Sequence, residues 1–120
     1  QLRTGSAFGI SIYFPTTKLN VISGDFDIYS YVTSSGGMVE VERCKTCGTS
    51  LFWELNLEKL RGLKGTAGGS YDPPTFWYKI EHEVFVRSKA SFCTIDSPDS
   101  YKASFGPSSL KEEEPRLNGG

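Results

Sequence analysis

An all-β domain is the fold class this sequence predicts, and three observations carry that reading. Runs rich in β-branched and aromatic residues recur at short intervals, separated by clusters of Gly, Pro, Ser, Asn and Asp. No segment sustains the apolar spacing of an amphipathic helix over a useful length. Between two of the runs lies Cys44-Lys45-Thr46-Cys47-Gly48, a turn that would set two sulfur ligands at the tip of a hairpin.

Taken in order, the first expected strand covers residues 7–14, with Phe8, Ile10, Ile12 and Phe14 on one face and Gly9, Ser11 and Tyr13 on the other. Pro15, which cannot donate to a ladder, stops it. Residues 19–22 and 26–32 read as short half-buried strands joined at Ser23-Gly24-Asp25, and Ser34-Ser35-Gly36-Gly37 closes the second. Residues 38–42 alternate into the cysteine turn, and residues 49–53 return as the hairpin partner. Residues 55–63, with four leucines among Glu58, Lys59 and Arg61, suit a brief stretch of helix that Gly62, Gly65, Gly68 and Gly69 discourage further on. Asp72-Pro73-Pro74 reads as a rigid loop, residues 77–86 as the longest strand, and residues 91–95 as a last short one. From Ser97 onward Ser, Pro, Gly and Glu dominate, and Lys111-Glu112-Glu113-Glu114-Pro115 is expected to be solvated charge in a peripheral tail. The expected organisation is one domain over residues 1–96 and a polar tail over 97–120.

Composition narrows the function classes. At 120 residues and 38% hydrophobic content, the chain has material for one core and no room for a second. Thirteen basic against fourteen acidic residues leave a formal charge of -1, which argues against nucleic acid or an anionic membrane surface as partner. No apolar run approaches the ~18 residues that span a bilayer, and Gln1-Leu2-Arg3-Thr4-Gly5 lacks the apolar centre of a signal peptide. Three cysteines, two of them in one tight turn, suit a reducing compartment such as the cytoplasm and a metal or redox role better than a secreted disulfide framework. The absence of an initiator methionine suggests a fragment or a processed product.

Cys44 and Cys47 are the candidate metal ligands. Two thiolates on such a turn can approach one zinc ion at ~2.3 Å each, and Gly48 lets the backbone fold beneath them. Structural zinc takes four ligands, so this is a half-site. A free thiol pair or an adventitious disulfide is the plainer reading. A thioredoxin-like redox role is disfavoured, because that motif opens a helix in a βαβ setting. His82, between Glu81 and Glu83, is expected to pack or hydrogen bond in its strand rather than to bind metal. Cys93, after Phe92, is expected to be a small buried hydrophobe. Trp53, Phe76, Trp77 and Tyr78 are expected to serve the core. The glycines between residues 62 and 69 lack the lysine and hydroxyl spacing of a phosphate loop.

Several blocks, in order, resemble the glutathione-dependent formaldehyde-activating enzyme family, also described as the centromere-protein-V-like domain. They are Thr4-Gly5-Ser6-Ala7-Phe8-Gly9, Phe14-Pro15 with Ser23-Gly24, and Cys44-Lys45-Thr46-Cys47-Gly48-Thr49-Ser50-Leu51-Phe52. Gly65-Thr66-Ala67-Gly68 and His82-Glu83-Val84-Phe85-Val86-Arg87-Ser88-Lys89-Ala90 follow. The resemblance implies an Mss4-like fold of several short antiparallel sheets with a zinc-ribbon-like hairpin at Cys44 and Cys47. It implies zinc-dependent carbon-sulfur lyase chemistry on a glutathione-type thiol or its adduct.

The departures are equally informative. The family's early Cys-x-Cys-Gly, which completes the structural zinc site, and its Cys-x-Cys-x-x-Cys, which holds the catalytic zinc, are absent from these residues. The last cysteine of that triplet would fall directly before Gln1. Ser91-Phe92-Cys93 stands where the family commonly has Pro-Trp. The expectation is therefore a structural zinc half-site at Cys44 and Cys47, no catalytic zinc and no turnover from this chain. The alternative is a non-catalytic zinc-binding β module that docks on a partner protein. A homodimer sharing a four-cysteine site is a further possibility.

Overall fold

The computed structural model describes residues 4–33 and 36–103. They divide into two units, one of Gly9–Thr75 and one drawn from the chain on either side of it. The architecture is all-β, as expected, and among the described residues the only helical pieces are three 3-10 turns. No helix there is long and apolar enough to cross a membrane.

The Gly9–Thr75 unit is a five-stranded antiparallel sheet of β1 (Ser11–Pro15), β2 (Phe26–Val32), β3 (Met38–Cys44), β4 (Ser50–Leu55) and β5 (Leu63–Ala67). Their order across the sheet is β1-β5-β4-β3-β2. The uninterrupted β2–β3 register runs from Phe26 opposite Cys44 to Val32 opposite Met38. The Thr33 amide closes that hairpin by donating to the Gly37 carbonyl at 2.6 Å. Between β3 and β4 the register slips, with Glu42 opposite Phe52 and Arg43 opposite Ser50. Leu51 is thus an extra residue in β4, a bulge that bends the hairpin just ahead of the cysteine turn.

Pairing brings Tyr13, Gly65, Trp53 and Val41 side by side across four strands. Val39, Val41 and Trp53 are buried, with Tyr13, Tyr31, Leu55 and Ala67 packed around them. Gly65 is required here by space. A Cβ on it would lie 2.6 Å from Trp53 Cδ1 and 2.8 Å from Cε2, well inside contact distance. On β5, the buried Thr66 hydroxyl donates to the Ile12 carbonyl at 2.9 Å and pairs with the Tyr71 hydroxyl at 2.5 Å. The loop that holds Asp72-Pro73-Pro74, with its cis Pro73-Pro74 bond, is thereby tied to the sheet.

Several sequence expectations need correction in this unit. Residues 7–14 yield a strand only from Ser11, because the ladder with β5 ends at Ser11 opposite Ala67. Pro15 is its last residue, and a 3-10 turn at Thr16–Lys18 follows. Residues 19–22 find no partner strand and stay irregular, leaving Val21 and Ile22 exposed. Residues 55–63 give one 3-10 turn, Glu58–Leu60, because Leu55 ends β4 and Leu63 begins β5. The strand β5 itself was hidden by Lys64 and Gly65, which break the apolar alternation a strand is read from.

The second unit has little regular structure. A two-residue strand β6 (His82–Glu83) pairs in parallel with β7 (Asp99–Ser100). The expected strand at residues 77–86 is thus reduced to two residues, and 91–95 is not a strand at all. Phe85 adopts a left-handed conformation (φ 57°) and leads into a 3-10 turn at Val86–Ser88, which breaks any extended run. The Tyr101 amide donates to the Glu83 carbonyl at 2.8 Å, and the Phe85 amide to that of Ala103 at 3.0 Å. Ala103 is buried and Tyr101 half-buried, whereas Asp99, Ser100 and Lys102 are exposed. The Glu83 carboxylate accepts hydrogen bonds from Lys89 (2.7 Å) and Ser100 (3.2 Å). Lys89 above all, with Ser100, holds its pKa below the ordinary glutamate value. Ser34-Ser35 and the acidic run at residues 111–115 lie outside the described residues.

Candidate functional site

Alternation in β3 delivers Cys44 to the end of the strand, half-buried, and the turn carries Cys47 into solvent. Two backbone hydrogen bonds fix the turn: Gly48 N–H to the Cys44 carbonyl at 2.8 Å, and Cys44 N–H to the Thr49 carbonyl at 2.9 Å. Gly48 has φ 76°, the left-handed backbone that lets β4 begin directly after the second cysteine. Lys45 N–H donates to the Asp25 carbonyl at 3.0 Å, which moors the turn to the segment ahead of β2.

The sulfur chemistry follows from this turn. Thr49 Oγ1 lies 3.2 Å from Cys47 Sγ. The Thr49 hydroxyl, then the Thr49 amide and the Cys44 thiol, favour the Cys47 thiolate and hold its pKa below the ordinary thiol value. An exposed sulfur prone to ionise is the form that binds soft metals and attacks electrophiles. Thr49 adjoins the Cys-x-x-Cys turn in sequence, but nothing in spacing alone gave it this part.

The other residues singled out from the sequence do not join the turn. His82 is exposed, with Nδ1 3.4 Å from an Asp99 carboxylate oxygen and its ring edge-on to Tyr101 at 6.0 Å. Cys93 is half-buried in a turn, its amide donating to the Ala90 carbonyl at 3.0 Å. Among the described residues no group of three or more His, Cys, Asp or Glu side chains is arranged to hold a metal ion. Two sulfurs on one turn fit half of a four-ligand zinc site and no more. The aromatics divide: Trp53 is core, as expected, whereas Phe76 and Trp77 are exposed and meet Tyr78 edge-on at 6.3 and 5.3 Å.

A charged cluster that sequence reading missed lies on the sheet. Lys64 of β5 pairs with Glu42 of β3 at 2.5 Å and with Glu54 of β4 at 3.3 Å, and sits 5.9 Å from the Phe52 ring. Burial depresses the Lys64 ammonium, but the hydrogen bonds and charge of Glu42 and Glu54 outweigh it and raise its pKa above the ordinary lysine value. Beside it, Thr16, Leu19, Asn20, Val21, Phe52 and Lys64 line an open hollow. Its members are separated by 22 residues or by a strand not foreseen, so no local motif signals it.

The family model described as glutathione-dependent formaldehyde-activating enzyme matches residues 1–88. That span includes the cysteine turn, the Lys64 cluster and β6. No curated protein and no solved structure matches the chain.

Proposed function

Because this chain belongs to the glutathione-dependent formaldehyde-activating enzyme family, we propose that it is a member of a zinc-dependent carbon-sulfur lyase group whose ligand is a glutathione-type thiol or its hydroxymethyl adduct. In the formation of that adduct the thiol sulfur bonds to the carbonyl carbon of formaldehyde. The carbonyl π bond opens, and the thiol proton ends on oxygen. Within the 120 residues, Cys44 and Cys47 would hold one side of a structural zinc, as two sulfurs set on a hydrogen-bonded turn with Thr49 favouring the Cys47 thiolate.

The family match carries the reading. Three cysteines cannot supply both a structural and a catalytic site, so these residues alone are expected to give no turnover. The free thiols suit a reducing compartment such as the cytoplasm. A second reading, a non-catalytic zinc-binding β module for a partner protein, draws support from the exposed Phe76 and Trp77.

The test is elemental analysis of protein purified without added zinc, together with proton NMR of glutathione mixed with formaldehyde. Zinc well below one per chain, lost in Cys47→Ser, and hydroxymethyl adduct forming no faster than without protein, is the expected result. One zinc per chain with chelator-sensitive adduct formation would overturn the half-site and the absence of turnover.

A further inference from the structure

We infer that β2 is the seam of a homodimer, in which two copies pair their Phe26–Val32 strands antiparallel about a two-fold axis at Tyr29. Among the described residues, the strand lies at one edge of the sheet with β3 as its one neighbour. Among the described residues, its outward backbone groups make no hydrogen bond. Ile28, Tyr29 and Val32 are 63%, 52% and 65% exposed, and Met38, opposite Val32, is 50% exposed. Edge strands are ordinarily guarded by lysine, proline or a bulge. The opposite edge, β1, ends in Pro15, whereas β2 contains no lysine or proline and its register with β3 is unbroken.

A second copy is the occupant this strand fits. Only a two-fold at Tyr29 keeps all seven residues paired. It sets Tyr29 against Tyr29 of the second copy, Ile28 against Ser30, and Phe26 against Val32. Asp27, the only charge on the strand, then faces Tyr31, whereas an axis at Asp27 would oppose two carboxylates. Tyr29 and Tyr31 are already stacked at 5.8 Å, so the two-fold would join four tyrosines in one row. A net charge of -1 offers little repulsion between copies.

The arrangement separates the cysteine turns. Cys44 lies opposite Phe26, so the two turns stand at opposite ends of the paired strands, roughly 20 Å apart along them. This dimer therefore needs no metal and cannot share a four-cysteine site.

Sedimentation equilibrium of the full chain tests it, with and without chelator. The wild type is expected to dimerise equally in both. Tyr29→Lys, which sets like charges face to face at the axis, is expected to weaken the dimer by at least about tenfold. Mixing Tyr29→Lys with Tyr29→Glu is expected to restore it. Circular dichroism checks the fold, and Ile28→Lys, on the same strand, is a second variant expected to weaken the dimer likewise. A monomeric wild type, loss of the dimer to chelator, or a dimer indifferent to both lysine variants would overturn the proposal.

Discussion

Residues 38–44 and 77–86 have similar compositions and different fates. Both carry β-branched or aromatic residues among alternating charges, yet the first is a complete seven-residue strand and the second contributes two strand residues. The difference is partners. Met38–Cys44 is flanked by β2 on one side and β4 on the other, and its Val39 and Val41 close against Trp53. Among the described residues, His82–Glu83 pairs only with Asp99–Ser100, on one side and in parallel. Strand propensity is chiefly a measure of how well a residue fits a neighbour already in place, and without neighbours the same alternation stays irregular.

The largest break in this comparison is expected from Trp53→Ala. It removes the side chain on which both sides of the sheet close, and should cost about 3–5 kcal/mol in urea unfolding followed by circular dichroism. A loss below about 1 kcal/mol would mean that strand pairing, not the indole, organises the sheet. Gly65→Ala should come next, at about 1–3 kcal/mol, since the added methyl group meets the indole rather than open space. An unchanged unfolding midpoint would show that Trp53 can move aside without cost.

The smallest effect sharpens the contrast by pH. Lys64 has a raised pKa, so its contribution to the sheet is complete below the ordinary lysine value and is lost as pH climbs through the raised one. Glu83 has a lowered pKa, so its contribution is complete above the ordinary glutamate value and is lost as pH falls through the lowered one. Lys64→Met should flatten the alkaline limb of an unfolding free energy measured against pH, by about 1 kcal/mol. Glu83→Gln should flatten the acid limb. If each variant left its limb unaltered, these pairs would contribute nothing to the two regions.

Local signals made much of the sheet legible and little of what lies outside it. Residues 26–32 form a strand with the bounds read from sequence, because turn residues mark both ends. The Cys44–Thr49 hairpin was readable for the same reason, although β3 runs on to Cys44 and β4 to Leu55. Leu63–Ala67 was missed because its glycine answers to Trp53, a residue twelve positions away, and not to its own neighbours. Of the candidate site, the two sulfurs were plain from spacing. The Thr49 hydroxyl at Cys47 and the Glu42–Lys64–Glu54 cluster were not, since each depends on where the turn or register sets a side chain.

The Thr66 hydroxyl has one proton, and the Ile12 carbonyl, which can only accept, receives it. The hydrogen between Thr66 and Tyr71 must then belong to the phenol. The link from loop to sheet is thus polarised, running from Tyr71 through Thr66 to β1, and its two hydroxyls are not equivalent. Taking away the phenol oxygen silences one donor at the outer end of the chain. Taking away the threonine oxygen strands a phenol proton and a strand carbonyl together.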